Sequence, residues 1–288
     1  MSRKTIGAII LLIIAIVIFV PVVSSSQNDE SSIVVTYGET TYNNANYKSL
    51  VDNYFNVNNA KETVITASDV NKISSGISNR NYNSNQIYSC AMVDLSSSNN
   101  IRIDVDSSKI TTVTPSMYKS ALDSAGISKG YVKITSPVVA TGESALAGVM
   151  KSYEESTGKE IPKEVKDAAN TEIYTETEIV ENTGASADDV AKIMTEVKEQ
   201  VASQNTTDRE TIINIVNNVV NNYNINISDS DIDNIVNSVQ QTQAVKDKAV
   251  EYQDQIVEFV NSDEGQSIVD MIMNFINSIL HGGSSSGN

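Results

Sequence analysis

The acids are the residues best placed to do chemistry. Glu172, Glu176, Glu178 and Glu181 fall close together, and paired carboxylates can serve as acid and base in a hydrolysis. Their spacing lies within one charged, helical stretch, so they read as a solvated face. Asp104 and Asp106 fall on the wet side of a strand. Asp229, Asp231 and Asp233 imitate the opening of a calcium loop, but an EF-hand then needs Gly at its sixth position and Glu at its twelfth. Asn234 and Gln240 stand there instead, and a Ser228 cap with acids in the first helical turn accounts for the cluster without metal. His281 is the single histidine, placed where its charge suits a helix C-terminus, and no nucleophile–base–acid triad can be assembled around it. Cys90 is the single cysteine, which excludes an intrachain disulfide and a thiolate metal cluster. Its alternating apolar surroundings make it a small buried hydrophobe. The sequence therefore assigns no catalytic residue, metal site or cofactor. One candidate anion or ligand contact is left, Thr141, Gly142, Glu143 and Ser144, where a strand hands over to a helix whose free N–H groups can hold an anion. The glycines and lysine of a phosphate loop are missing there. Gly142, Ala145, Ala147 and Gly148 are explained more simply by close packing of the helix on a sheet.

The elements that position these residues follow from periodicity. Ile33–Tyr37 and Thr63–Thr66 read as strands, with a helix over Asn43–Phe55 that turns Tyr47, Leu50, Val51 and Tyr54 inward. Ser68 caps a second helix. The stretch from Ile87 to Leu95 alternates as a strand covered on both faces. Ile101–Val105 alternates as a strand with one wet face, and Ser96–Asn100 joins the two as a hairpin. Thr114-Pro115 starts a helix that Gly126 ends. Tyr131–Thr135 is a strand, and Glu143–Thr157 a helix closed by Gly158. After Ile161 only helix signals recur, opened by Ser186, by a Thr207/Glu210 capping box and by Ser228. The fold class is α+β: an N-terminal α/β half with a small mixed sheet (33–160), then an all-helical C-terminal half (161–281) and a flexible tail (282–288). In the last helix Ile268, Ile272, Phe275, Ile276 and Ile279 belong to an apolar surface. That surface either packs under the other helices or meets a partner. Asn205 and Asn226 open N-x-S/T sequons in interhelical loops, candidate glycosylation sites.

Arg3 and Lys4 precede the apolar run Ile6–Val23, and no ionisable group returns until Asp29. As a helix the run would rise about 27 Å, against a bilayer core of roughly 30 Å. It reads as a signal peptide or membrane anchor (1–23), followed by a polar linker (24–32). The charge asymmetry translocates the C-terminal side. Whether it is cleaved near Val22–Ser26 or retained stays open at this point. Beyond it, 36 acidic residues face 18 basic ones, a field that repels nucleic acid and anionic lipid.

Three blocks carry a family resemblance: Val34-Val-Thr-Tyr-Gly38; Val113-Thr-Pro-Ser-Met-Tyr through Gly126; and Val132-Lys-Ile-Thr-Ser-Pro through Gly148 to Tyr153-Glu154. In order and spacing the chain resembles DUF1002, a family of uncharacterised extracytoplasmic proteins of Gram-positive bacteria and some archaea. The resemblance implies export and a shared fold, and no reaction. The expectation is an exported, envelope-associated, non-catalytic interaction or binding protein. Its partner would be an unidentified envelope component or a second copy, with the membrane touched only through the N-terminal segment. A divergent extracytoplasmic hydrolase using Asp or Glu carboxylates is the alternative.

Overall fold

The structure, a computed structural model, describes residues 33–75, 77–78, 80–96 and 100–262. The leader, Ile268–Ile279, His281 and the tail lie outside the described residues. Five strands form one mixed sheet of order β2-β1-β3-β5-β4: β1 (Ile33–Gly38), β2 (Lys61–Ile65), β3 (Cys90–Asp94), β4 (Arg102–Val105) and β5 (Tyr131–Thr135). β1 pairs parallel with β2 and antiparallel with β3, while β5 pairs antiparallel with β3 and parallel with β4. The expected β3–β4 hairpin does not form, because β5 lies between them. Val132 and Ile134 of β5 are fully buried and need an interior place, whereas every residue of β4 keeps some solvent access and suits an edge.

Alternation along β3 splits the core between the two faces of the sheet. Cys90 and Met92 join Val35 and Tyr37 beneath α2 (Ala45–Phe55), a helix preceded by the short α1 (Glu39–Tyr42). Val51 and Phe55 form the buried face of α2, and Leu50 is 55% exposed, against its expected inward place. Ala91 and Val93 face the opposite side, in the larger core. There α5 (Glu143–Thr157) lies on β1 and β3. Its Ser152 shares a 2.6 Å hydrogen bond with Thr36, and Gly148 brings its backbone close to Thr36 and Ala91.

Helix starts are fixed by local chemistry. Thr66, not Ser68, caps α3 (Ala67–Ser74), through a reciprocal box with Asp69. Pro115 occupies the first turn of α4 (Pro115–Ser124). The C-terminal helices are α6 (Lys163–Thr183), α7 (Ala187–Gln204), α8 (Arg209–Asn222) and α9 (Asp229–Asn261). Asp208, not Thr207, caps α8 and accepts from Thr211 N; a carboxylate at this position also favours the positive end of the dipole. Ser228 caps α9 with Asp231, as its spacing implies. The main core runs from Ala91 to Val260 and so includes residues from both sides of position 160. A second core gathers Ile179, Val197, Ile212, Val216, Val236 and neighbours between α6, α7, α8 and α9.

Candidate functional site: a buried acid–lysine centre beside a recess

α4 places Ser120 and Ser124 one turn apart, α6 places Glu172 and Glu176 one turn apart, and α7 supplies Lys198. The side chains at i and i+4 of a helix share a face, so each pair acts as a unit. Both oxygens of Glu172 are occupied. Ser120 Oγ donates to Oε1 at 2.5 Å, Ser124 Oγ donates to Oε2 at 2.5 Å, and Lys198 Nζ donates to Oε1 at 2.6 Å. Lys198 Nζ also lies 3.0 Å from Ser120 O, 3.0 Å from Ser120 Oγ and 2.9 Å from Ser124 Oγ. Glu172 is fully buried and the Lys198 side chain is 17% exposed.

Glu176 differs from its neighbour one turn away. It is fully buried, and neither carboxyl oxygen has a partner among the described residues. Burial first, and the Glu172 charge second, push its carboxyl well above the usual range; Lys198 offsets only part of this. The reading of these acids as a solvated face is therefore corrected for Glu172 and Glu176, while Glu178 and Glu181 do sit at the surface. The missed signal was helical phase: Glu172 and Glu176 fall within the apolar stripe of α6, not on its charged face. Val165, Ala168, Ala169, Ile173 and Ile179 are buried about one or two turns from the two acids on that stripe, while Lys163, Glu178 and Glu181 are exposed on the opposite side.

Lys198 and Ser124 also line an open recess of about 250 Å³ between α4, α7 and α9. Ala202, Val239, Ala249 and Val250 give it an apolar floor, and Thr242, Gln243 and Lys246 edge it. Gly126, at φ +73°, makes this junction of α4 and α9 possible, since a Cβ there would collide with the Ala249 carbonyl.

The four residues read as an anion contact lie at the start of α5. Gly142 and Glu143 are buried, Thr141 and Ser144 half-buried. Glu143 forms an ion pair with Arg80 and accepts from Tyr82 OH at 3.0 Å. Arg80 reaches on to Glu181 with two hydrogen bonds of 2.8 and 2.7 Å. A carboxylate thus already stands in the first turn of that helix, facing a guanidinium. Gly142, at φ +113°, packs against Ile110, Tyr118 and Val113. The other expectations have plain places: Asn205 and Asn226 are exposed, Asp233 pairs with Arg209, and Asp104 and Asp106 accept from Tyr131 and Thr135. Cys90 is buried, and burial raises its thiol to about 12, which makes it unreactive.

Among the described residues, no helix is long and apolar enough to cross a membrane, and no group of three or more metal-ligating side chains occurs. Residues 37–259 match the family described as "Protein of unknown function (DUF1002)". The chain is similar to the "Uncharacterized protein YpuA" of Bacillus subtilis (strain 168), with 28% identity over 185 residues. That alignment covers 62% of this chain and 63% of the relative, so the chain spans under two thirds of that relative's length. No solved structure matches. With the match running from the end of β1 into the last turn of α9, the chain belongs to DUF1002, a family of unknown function.

Proposed function

We propose that this chain is an exported, envelope-associated binding protein and not an enzyme. One observation carries the non-catalytic part: Ser120, Ser124 and Lys198, the nucleophile and base types of the buried centre, are all engaged by Glu172. A serine–lysine hydrolase needs a free amine to take the serine proton. Here Lys198 is held against a carboxylate at 2.6 Å, and both serine hydroxyls donate to that same carboxylate. Such a set fixes three helices in place and leaves the adjoining recess open to a ligand. The apolar run Ile6–Val23 and the acidic surface support an address outside the cytoplasm, with residues 6–23 as signal or anchor. The test is cell fractionation of the full chain, combined with crosslinked capture from envelope fractions. Recovery in the cytosol without any envelope partner would overturn the reading.

A hydrolase remains the second reading, favoured by the desolvated Glu176 beside Glu172. Both acids are fully buried, so substrate would have to part α4, α6 and α7 to reach them. It predicts turnover of an ester, peptide or glycoside that Glu172→Gln and Glu176→Gln each abolish.

A further inference from the structure

Among the described residues β4 is the last strand of the sheet, and β5 pairs with one side of it. Arg102 N donates to Gly130 O and Asp106 N to Ile134 O, both at 2.9 Å, so the even-numbered residues turn their backbone groups inward. Backbone direction alternates along a strand, which leaves the N–H and C=O of Ile103 and Val105 facing outward, a template for one more strand. Side chains alternate as well. Ile101, Ile103 and Val105 rest partly buried against the main core, while Arg102 and Asp104 lie on the other, wet face. These two are joined at 2.8 Å, with side chains 69% and 37% exposed.

Charges on an edge strand usually keep other strands away, and they do so by meeting their like. Ile101-Arg-Ile-Asp-Val105 does the reverse when turned antiparallel on itself about Ile103. Arg102 then faces the partner's Asp104, Ile101 faces the partner's Val105, and Ile103 faces its own counterpart. Ile103 makes the hydrogen-bonded pair at the centre. Arg102 and the partner's Asp104 make a non-hydrogen-bonded pair, in which side chains approach more closely. The opposite edge has no such match. Lys61–Ile65 turned on itself about Thr63 sets Glu62 against Val64, and Lys151 Nζ already donates to the Val64 carbonyl at 2.7 Å. The Debye length of about 8 Å at physiological salt screens the net charge of each whole chain, so the local match decides.

We infer that two copies of this chain associate through β4, side by side about a two-fold axis, with their sheets continuing into one. The surface is isologous, so the pair closes and does not grow into a fibre. The paired stretch is short, so affinity is weak and gains where copies are held close together. This goes beyond the binding-protein reading and does not depend on its address.

The test is a crosslink at the axis. Ile103→Cys in the full chain puts a thiol about 5.5 Å from its counterpart, Cα to Cα, within the roughly 4.4–6.8 Å of a disulfide. Cys90 is buried and stays out of the reaction. Oxidation with copper–phenanthroline yields a disulfide-linked dimer. Adding Arg102→Asp or Asp104→Arg to that background sets like charges opposite each other twice and lowers the yield about tenfold. Mixing the two reversed chains restores it, because each offers the charge that the other lacks, and restoration shows that both are folded. No dimer from Ile103→Cys, undiminished yields from the reversed chains, or a mixture no better than its parts overturns the proposal. A chain that crosslinks but is recovered only from the cytosol keeps the pairing and loses the address. An envelope-bound chain that never crosslinks loses the pairing alone.

Discussion

Glu176 is the residue with the clearest pH signature. Its carboxyl is raised in the folded chain, so between the unfolded value of about 4.3 and the folded one the native state holds the extra proton. Stability from this group is therefore complete below about 4.3 and declines as pH rises towards neutrality. Glu176→Gln should raise the thermal midpoint at pH 7.5 and flatten its fall between pH 5 and 8; an unchanged slope would contradict the burial argument. Lys198→Met leaves Glu172 as a buried, uncompensated charge and should cost about 3 kcal/mol or more by denaturant titration. Cys90 should resist a thiol reagent until the chain is unfolded. Its burial was legible from alternation with Tyr88 and Met92. The burial of Glu172 and Glu176 was legible only from their phase on the helix, since charge count alone reads as exposure, and the two helices that enclose them arrive from distant parts of the chain.

Elements were legible where local chemistry decides them. Thr114-Pro115, Gly158 and Ser228 mark real helix ends, and α5 has the bounds that its pattern gives. The cap of α8 is one residue later than expected, since Asp208 and Thr207 are both acceptors and only the helical register chooses between them. Strand order was beyond local reading: β3 and β4 are adjacent in sequence, but non-local burial of β5 separates them. The contact of α4 with α9 depends on Gly126. Gly126→Ala combines a left-handed φ with a clash on backbone that cannot move aside, and should destabilise by about 3 kcal/mol or more. Ser228→Ala removes a cap and should cost about 1 kcal/mol. The ratio of the two losses, read from the same urea titrations, distinguishes a packing junction from an isolated helix end.

At the scale of the molecule, the core that α4, α5, α6 and α9 share with the sheet sets how the chain unfolds. Leu146, Met150 and Tyr153 are fully buried, and Ile173, Tyr252 and Ile256 belong to the same cluster. Residues 33–160 expressed alone should expose that apolar surface, bind a hydrophobic dye and aggregate; a soluble, cooperatively folded fragment would refute this. The α+β class and the change of character near Ile161 were readable from periodicity, and the shared core was not, since periodicity gives which faces are apolar but not what they meet.

The place of β5 has a temporal consequence. A chain that emerges N-terminus first cannot seat β4 until residue 135 has followed, because among the described strands Arg102–Val105 pairs with Tyr131–Thr135 alone. Closing so long a segment is slow compared with forming a hairpin. β2, β1 and β3 can pair before then, so the young sheet waits with one side of β3 bare until β5 fills it and brings β4 in behind.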